Sequence, residues 1–259
     1  MGHLCFEWTA ATVQGREHAR TGRNNQDAFA AKAGERGLVA VVADGCGSGA
    51  RSEVGAHLGV ARAVEAALGL LAEGLTPDSP TFLPRLEADL LGFLGGLAGQ
   101  LGPEAVGEAL LFTLVGTVCT PTHVLVFCAG DGLWALNGDV HRLGPFPGNA
   151  PPYLAYGLLR PGVVGLQALA LRPTAQVDSL LIGTDGAADL MGLAHERMPE
   201  GDGLVGPLSQ FWSEPRYFTH PDALRRRLSL MNPRRPVRVP GLLGDDTTLV
   251  VLRRAPGRN

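Results

Sequence analysis

Lysine is almost absent: Lys32 is the only one in 259 residues, every other basic side chain being arginine, and the formal net charge is −3. A chain so close to balance offers no electrostatic case for nucleic acid or an anionic membrane as partner. Cysteine is scarce too. Cys5, Cys46, Cys119 and Cys128 show no CxxC spacing and two of them lie inside apolar runs, which argues against a zinc site or a disulfide framework and for reduced, buried thiols in a cytoplasmic protein. The start of the chain lacks an apolar h-region after basic residues, and position 6 is Phe where a myristoylation signal needs Ser or Thr. No apolar stretch reads as long enough to span a bilayer, so no membrane partner is expected. Internal repeats and a splitting linker are also missing, while 45% apolar content supports a large core. The expectation is a single domain over residues 1–259, with its core at about 4–254.

What the chain does have is aspartate at the ends of apolar runs. Asp27 in NNQDAF, Asp44 in VAVVADGCGSG, Asp131 in VLVFCAGDG, Asp185 in LLIGTDGAAD and Asp245 in GDDTTLVVL repeat one arrangement. A strand that delivers a carboxylate, followed by glycine that permits close approach, builds all-oxygen metal sites. Asp-Gly is also a favoured hairpin turn, so any single instance taken alone reads first as a turn without chemistry. Their recurrence points to one shared acidic site.

The pattern of residues 4–42 reads as three short strands in a meander, with turns at 15–25 and 34–37. Apolar residues then recur at helical spacing over 52–75 and 84–101, with Pro, Asp and Ser between the two runs. Residues 109–120 and 123–129 read as a strand pair, and LWALNGDVHRL as a purely structural hairpin around Asn137-Gly138. A loop over 145–156 precedes strands in VVGLQALAL and VDSLLIGTD. The irregular 192–221 segment is long enough for a functional flap. In DALRRRLSLM, Leu224, Leu228 and Met231 share one helical face while Arg225 to Arg227 point mostly outward. With Arg234, Arg235 and Arg238 they form a basic cluster, either a solvated surface or a docking patch for acidic or phosphorylated partners. The last strand is TTLVVLRR.

Strands, then helices, more strands, a helix and a final strand indicate an α+β protein with antiparallel sheets. That order disfavours a dinucleotide fold, although Gly45, Gly47 and Ala50 loosely match its glycine fingerprint. A second helix stands where a strand is needed, and Asp44 would repel the pyrophosphate.

In this order and spacing, NNQDAF, VVADGCGSG, GDG, TDGAAD and GDDTTLVV resemble the PPM family of metal-dependent serine/threonine phosphatases, the protein phosphatase 2C type. The segment GREHARTGRNNQDAF, with His18, Gly22, Gln26 and Asp27, is similar to a bacterial branch. The resemblance implies a four-layer αββα sandwich, two stacked antiparallel sheets flanked by helices. It implies that Asp27, Asp44, Asp185 and Asp245, with the Gly45 carbonyl, hold two Mn²⁺ or Mg²⁺ ions, and that Asp131 and Asp189 match a weaker third position. Phosphoserine or phosphothreonine in a protein substrate would then be hydrolysed by direct attack of a metal-bridging hydroxide, opposite a cognate Ser/Thr kinase. Hard divalent ions do prefer oxygen ligands.

Two positions depart from the family pattern. Gly22 stands where many relatives carry a phosphate-gripping arginine, leaving Arg23 or His18 as substitutes, or as plain turn and surface residues. Cys46 stands where a number of relatives place a histidine proposed as general acid. These departures motivate the alternative of a pseudophosphatase or regulatory binding module; hydrolysis of a small phosphorylated molecule is a further one. For Asp189 the alternative is a helix-start carboxylate. Asp246 is expected to orient the turn of the final strand.

Overall fold

The computed structural model describes residues 5–102, 104–200, 202–233, 240–255 and 257. Two five-stranded antiparallel sheets carry the fold. One runs in the order β1 (Phe6–Val13), β10 (Thr247–Arg254), β9 (Ser179–Gly183), β6 (Gly132–Leu136) and β7 (Asp139–Leu143). The other runs β2 (Asp27–Ala33), β3 (Leu38–Asp44), β4 (Leu114–Cys119), β5 (His123–Ala129) and β8 (Gln167–Pro173).

The layers follow from which faces are apolar. Alternate residues of both sheets, among them Val42, Val115, Val126, Ile182, Val250 and Leu252, bury one face against the other to form the central core. The outer face of the β3 sheet is covered by α2 (Ser52–Ala72) and α3 (Phe82–Leu101). In α2, Ala56, Val60, Ala63, Val64, Ala67 and Leu71 recur at three- and four-residue steps and meet Val39, Val41 and Phe112. Each fully buried Leu or Val there stabilises by about 1.5–3 kcal/mol. Opposite, α5 (Asp185–Asp189), α6 (Gln210–Ser213), α7 (Arg216–Thr219) and α8 (Ala223–Met231) cover the β10 sheet. The result is the expected αββα sandwich.

Several local readings are corrected. The first strands are not a meander: β1 pairs with β10 and β2 pairs with β3, in different sheets. The polar stretch between β1 and β2 holds a short helix, α1 (Arg16–Thr21), which turns the chain from one sheet to the other. A five-residue helix, α4 (Ala105–Ala109), precedes β4, so that strand begins later than its apolar pattern suggests.

The 192–221 segment is no free flap. Its Met198, Val205, Leu208, Phe211 and Tyr217 are buried on the β10 sheet. Arg227, turning inward from α8, donates to the Leu204 and Val205 carbonyls at 2.7 and 2.8 Å. Arg225 and Arg226 are exposed, whereas Arg234, Arg235 and Arg238 lie outside the described residues. Helix α2 also reaches a mean hydropathy of 1.4 over 18 residues, long and apolar enough to cross a bilayer by composition. That corrects the expectation of no such stretch; its Ala, Val and Leu content serves burial, and 56% of the window is covered by the protein itself.

Candidate functional site

The strand ends converge on one end of the sandwich. Asp27 opens β2 and Asp44 closes β3, and the register places them directly opposite each other. Asp131 lies in the tight connection between β5 and β6, Asp185 follows β9 at the start of α5, and Asp245 precedes β10. The charges of Asp27, Asp185, Asp245 and Asp131 all bear on Asp44. Five of the singled-out aspartates thus share one environment. Asp189 is exposed at the far end of α5, close enough for its charge to act on Asp185. It closes that helix, so the helix-start alternative does not hold; Asp185 takes that place.

Burial dominates the electrostatics. Asp27 is 1% exposed; one carboxyl oxygen accepts from the Thr184 hydroxyl at 2.7 Å, while Oδ1 is buried without a partner among the described residues. Asp131 Oδ1 is buried and unpartnered in the same way. Desolvation, reinforced by neighbouring carboxylates, drives Asp27 and Asp44 well above the usual carboxylate range. It raises Asp131 against the opposing charge of Arg142. Asp185 is pushed up to about 6 by burial and then by Asp245 and Asp131. So many desolvated carboxylates, two with orphaned acceptor atoms, fit divalent cations as the missing counter-charge.

The backbone around Gly45 beside these carboxylates is tightly packed. Its N–H donates to the Gln26 carbonyl at 3.1 Å, and a Cβ there would come within 2.8 Å of Ser52 and 2.9 Å of the Gln26 oxygen. Only glycine leaves the carbonyl loop in this position. Gln26, itself 2% exposed, donates from its side chain to Ser52 Oγ at 2.6 Å.

Arg23 and His18 are committed elsewhere. The Arg23 guanidinium donates to the Gly47 carbonyl at 2.6 Å and the Gly49 carbonyl at 3.0 Å, fastening the loop that follows Asp44. His18 Nδ1 lies 2.8 Å from Asp246 Oδ2. His18, Asp245 and Asp246 place ligand-type atoms within 4.8 Å of one another. Asp246, however, also accepts from the backbone N–H of Gly15 at 2.7 Å and of Gln26 at 2.5 Å. Both its oxygens are therefore spent as a tie between the chain's first loop and its last strand. Gly22, in the left-handed region at φ 70°, caps α1.

Three contributors were not singled out from the sequence: Thr184, Gln26 as a loop support, and Tyr153. Burial would raise the Cys46 thiol, but hydrogen bonds from the Ser48 and Tyr153 hydroxyls and the Ser48 and Gly49 backbone hold it below the usual thiol range. Tyr153 is shifted the opposite way, upward, by burial, by Cys46 and by the charges of Asp44 and Asp131. The Pro- and Gly-rich composition of 145–156 hid this tyrosine, and an aromatic inside such a loop was the available signal.

A pH prediction follows. A carboxyl raised in the folded state favours folding below its unfolded value of 3.8, and that contribution is lost as pH rises through about 6 for Asp185. Differential scanning calorimetry of the metal-free protein should show this loss between about pH 4 and 6.5, and saturating Mn²⁺ should remove it, giving a metal-induced rise in Tm that grows with pH. A rise independent of pH would place the metal away from these carboxylates.

Residues 14–229 match the protein phosphatase 2C family. Among solved structures, a bacterial serine phosphatase superposes with a TM-score of 0.62 at 15% identity, covering 98% of each chain. The serine/threonine phosphatase Stp1 from Staphylococcus aureus gives 0.57 at 14%, covering 96% of this chain and 95% of its own. The catalytic domain of the serine/threonine protein phosphatase PstP, in complex with two manganese ions, gives 0.53 at 18%, covering 96% of this chain and 98% of its own. No curated protein sequence matches the chain.

Proposed function

The chain belongs to the protein phosphatase 2C family, and from that premise we propose that it is a Mn²⁺- or Mg²⁺-dependent phosphatase releasing phosphate from phosphoserine and phosphothreonine of protein substrates. The observation that carries this reading is the convergence of Asp27, Asp44, Asp185 and Asp131 in a desolvated cluster with unpartnered Oδ1 atoms on Asp27 and Asp131. Asp27, Asp44, Asp185 and Asp245, with the Gly45 carbonyl, would hold two ions, and Asp131 with Asp189 a third. Bound there, such ions acidify water and offset charge on a phosphoryl group.

The chain's own residues prepare that chemistry. Thr184 orients Asp27 through its hydroxyl. Gln26 and Arg23 fix the 45–52 loop from two sides. The Cys46 thiol, held low, and the Tyr153 phenol, held high, interact with each other near Asp44 and would be protic groups at hand for a leaving oxygen. A Ser/Thr kinase in the same cytoplasm is the natural counterpart. The test is release of phosphate from a phosphothreonine peptide by the purified protein with Mn²⁺, beside calorimetric titration of Mn²⁺; a folded protein that neither turns over nor binds metal sinks the reading.

One observation favours the second reading, a binding module with an impaired phosphate site: Arg23, the nearest substitute for the missing arginine at Gly22, has its guanidinium engaged by two carbonyls. The two readings divide on Arg23→Ala. If Arg23 supports the loop, kcat and Mn²⁺ affinity fall about tenfold while KM for p-nitrophenyl phosphate moves less than about twofold. A rise in KM with metal affinity intact would assign it to phosphate instead.

A further inference from the structure

Beside the acidic centre lies a groove of about 1070 Å³ between the end of β1, α1 and α8. Arg16, Arg20 and Arg225 line it together with polar residues such as Asn25 and Ser229, and none of its described lining residues is a carboxylate. The three guanidiniums outnumber the two carboxylates paired with them, Glu17 and Asp222, so the groove is locally positive on a chain with a formal charge of −3. We propose that the groove docks an acidic stretch of the phosphoprotein substrate, next to the phosphoserine or phosphothreonine to be cleaved. Naming that occupant a substrate rests on the phosphatase reading above; the groove's preference for acidic peptide does not.

The arginines are already positioned for carboxylates. Glu17, in α1, accepts from Arg16 Nε at 3.2 Å and from Arg20 Nε at 3.0 Å, and Asp222 accepts from Arg225 Nε at 3.3 Å. All of these side chains are largely exposed, where water screens the pairs and leaves them weak, so an incoming acidic chain displaces them at little cost. Among the described residues the terminal amines of Arg20 and Arg225 carry no other carboxylate, and a planar fork of donors suits carboxylate or phosphate. Arg16 Nη1 is anchored on the Gly241 carbonyl at 2.7 Å and serves as frame.

Hydrogen bonds tie the groove's wall to the site. Asn25 in its wall accepts from the Asp27 backbone N–H at 3.0 Å and donates to Thr12 Oγ1, another wall residue, at 2.8 Å. Thr12 accepts in turn from the Thr248 hydroxyl at 2.8 Å, and Thr248 N–H donates to the Thr184 hydroxyl that holds Asp27. A peptide held by the arginines would therefore lie against a wall braced to the Asp27 backbone and, through Thr12, Thr248 and Thr184, to its carboxylate. A basic approach of this kind also counters the repulsion that the cluster exerts on acidic substrates.

The experiment uses the full chain and a fluorescein-labelled, unphosphorylated Glu/Asp-rich peptide, with a Gln/Asn peptide of equal length as control. Anisotropy should show binding of the acidic peptide only, weakened by salt and by about tenfold or more in the double variant Arg20→Glu, Arg225→Glu. The charge-removing variant Arg225→Gln should fall between. With phosphorylated versions, kcat/KM for the acidic peptide should drop about tenfold in the double variant, while that for the neutral peptide stays within about twofold. Equal affinity for the two peptides, or binding unchanged in both variants, overturns the proposal. So does displacement by a short RNA at lower concentration than by unlabelled acidic peptide. Arginine-dependent binding without turnover of any phosphopeptide by the wild-type protein leaves the groove standing and overturns the phosphatase reading alone.

Discussion

Asp44→Asn is expected to abolish divalent-dependent turnover, by about three orders of magnitude, while making the metal-free protein more stable. The two effects share one cause. Asp44 faces Asp27 across the β2–β3 ladder and feels Asp185, Asp245 and Asp131 as well, so its carboxylate is desolvated among like charges. An isosteric amide removes the repulsion and keeps the shape, which is worth about 1–2 kcal/mol to the apo fold near neutral pH. If Asp44 is a cation ligand as proposed, the same change deletes it, and loss of one preorganised charged group at a reaction centre costs about 10²–10³ or more in rate. The checks are the phosphate-release rate with saturating Mn²⁺ and the apo melting temperature at pH 7.5. Turnover retained within about tenfold would remove Asp44 from the metal cluster; an unchanged apo Tm would mean the carboxylates do not strain one another.

The position of these carboxylates at strand ends is why the site was readable in the sequence at all. Each cluster aspartate terminates or precedes a strand whose apolar residues must be buried, as in LVAVVAD and SLLIGTD, so hydropathy alone marks where the carboxylates emerge. The sheets were legible for the same reason. Their pairing was not: β1 finds its partner at the opposite end of the chain, with Phe6 across from Arg254, and no local pattern encodes that contact. Helix α1 was hidden because its six residues include no buried side chain, leaving no apolar stripe to detect. The supporting polar residues escaped for a related reason. Thr184 and Gln26 act through contacts 157 and 26 positions away in sequence, and single polar residues carry no period.

The sharpest contrast lies between two neighbours, Asp245 and Asp246, which composition cannot tell apart but to which the family motif gives different roles, a ligand and an orienter of the strand's turn. Asp245 has a side chain 55% exposed, whereas that of Asp246 is 1% exposed. Asp246 alone satisfies the backbone N–H groups of Gly15 and Gln26 and holds His18. Its carbonyl also packs so closely on α5 that a Cβ at Gly186 would meet it at 2.0 Å. Truncating Asp246 to Ala leaves two buried donors unpaired, each costing about 1–3 kcal/mol. A loss of about 3–5 kcal/mol in total is expected, lowering Tm by roughly 6–20 °C for a domain of this size. Asp246→Asn keeps one acceptor but turns a donor toward another donor, so it should fall at about half that loss. Asp245→Ala, at an exposed position, is expected to shift stability by less than about 1 kcal/mol and yet to abolish turnover, since its carboxylate is the one left available to a cation. Thermal denaturation and phosphate release measured on all three variants separate the roles. Equal Tm losses at the two positions, or full activity in Asp245→Ala, would show that the structural tie and the cation ligand have been assigned to the wrong neighbour.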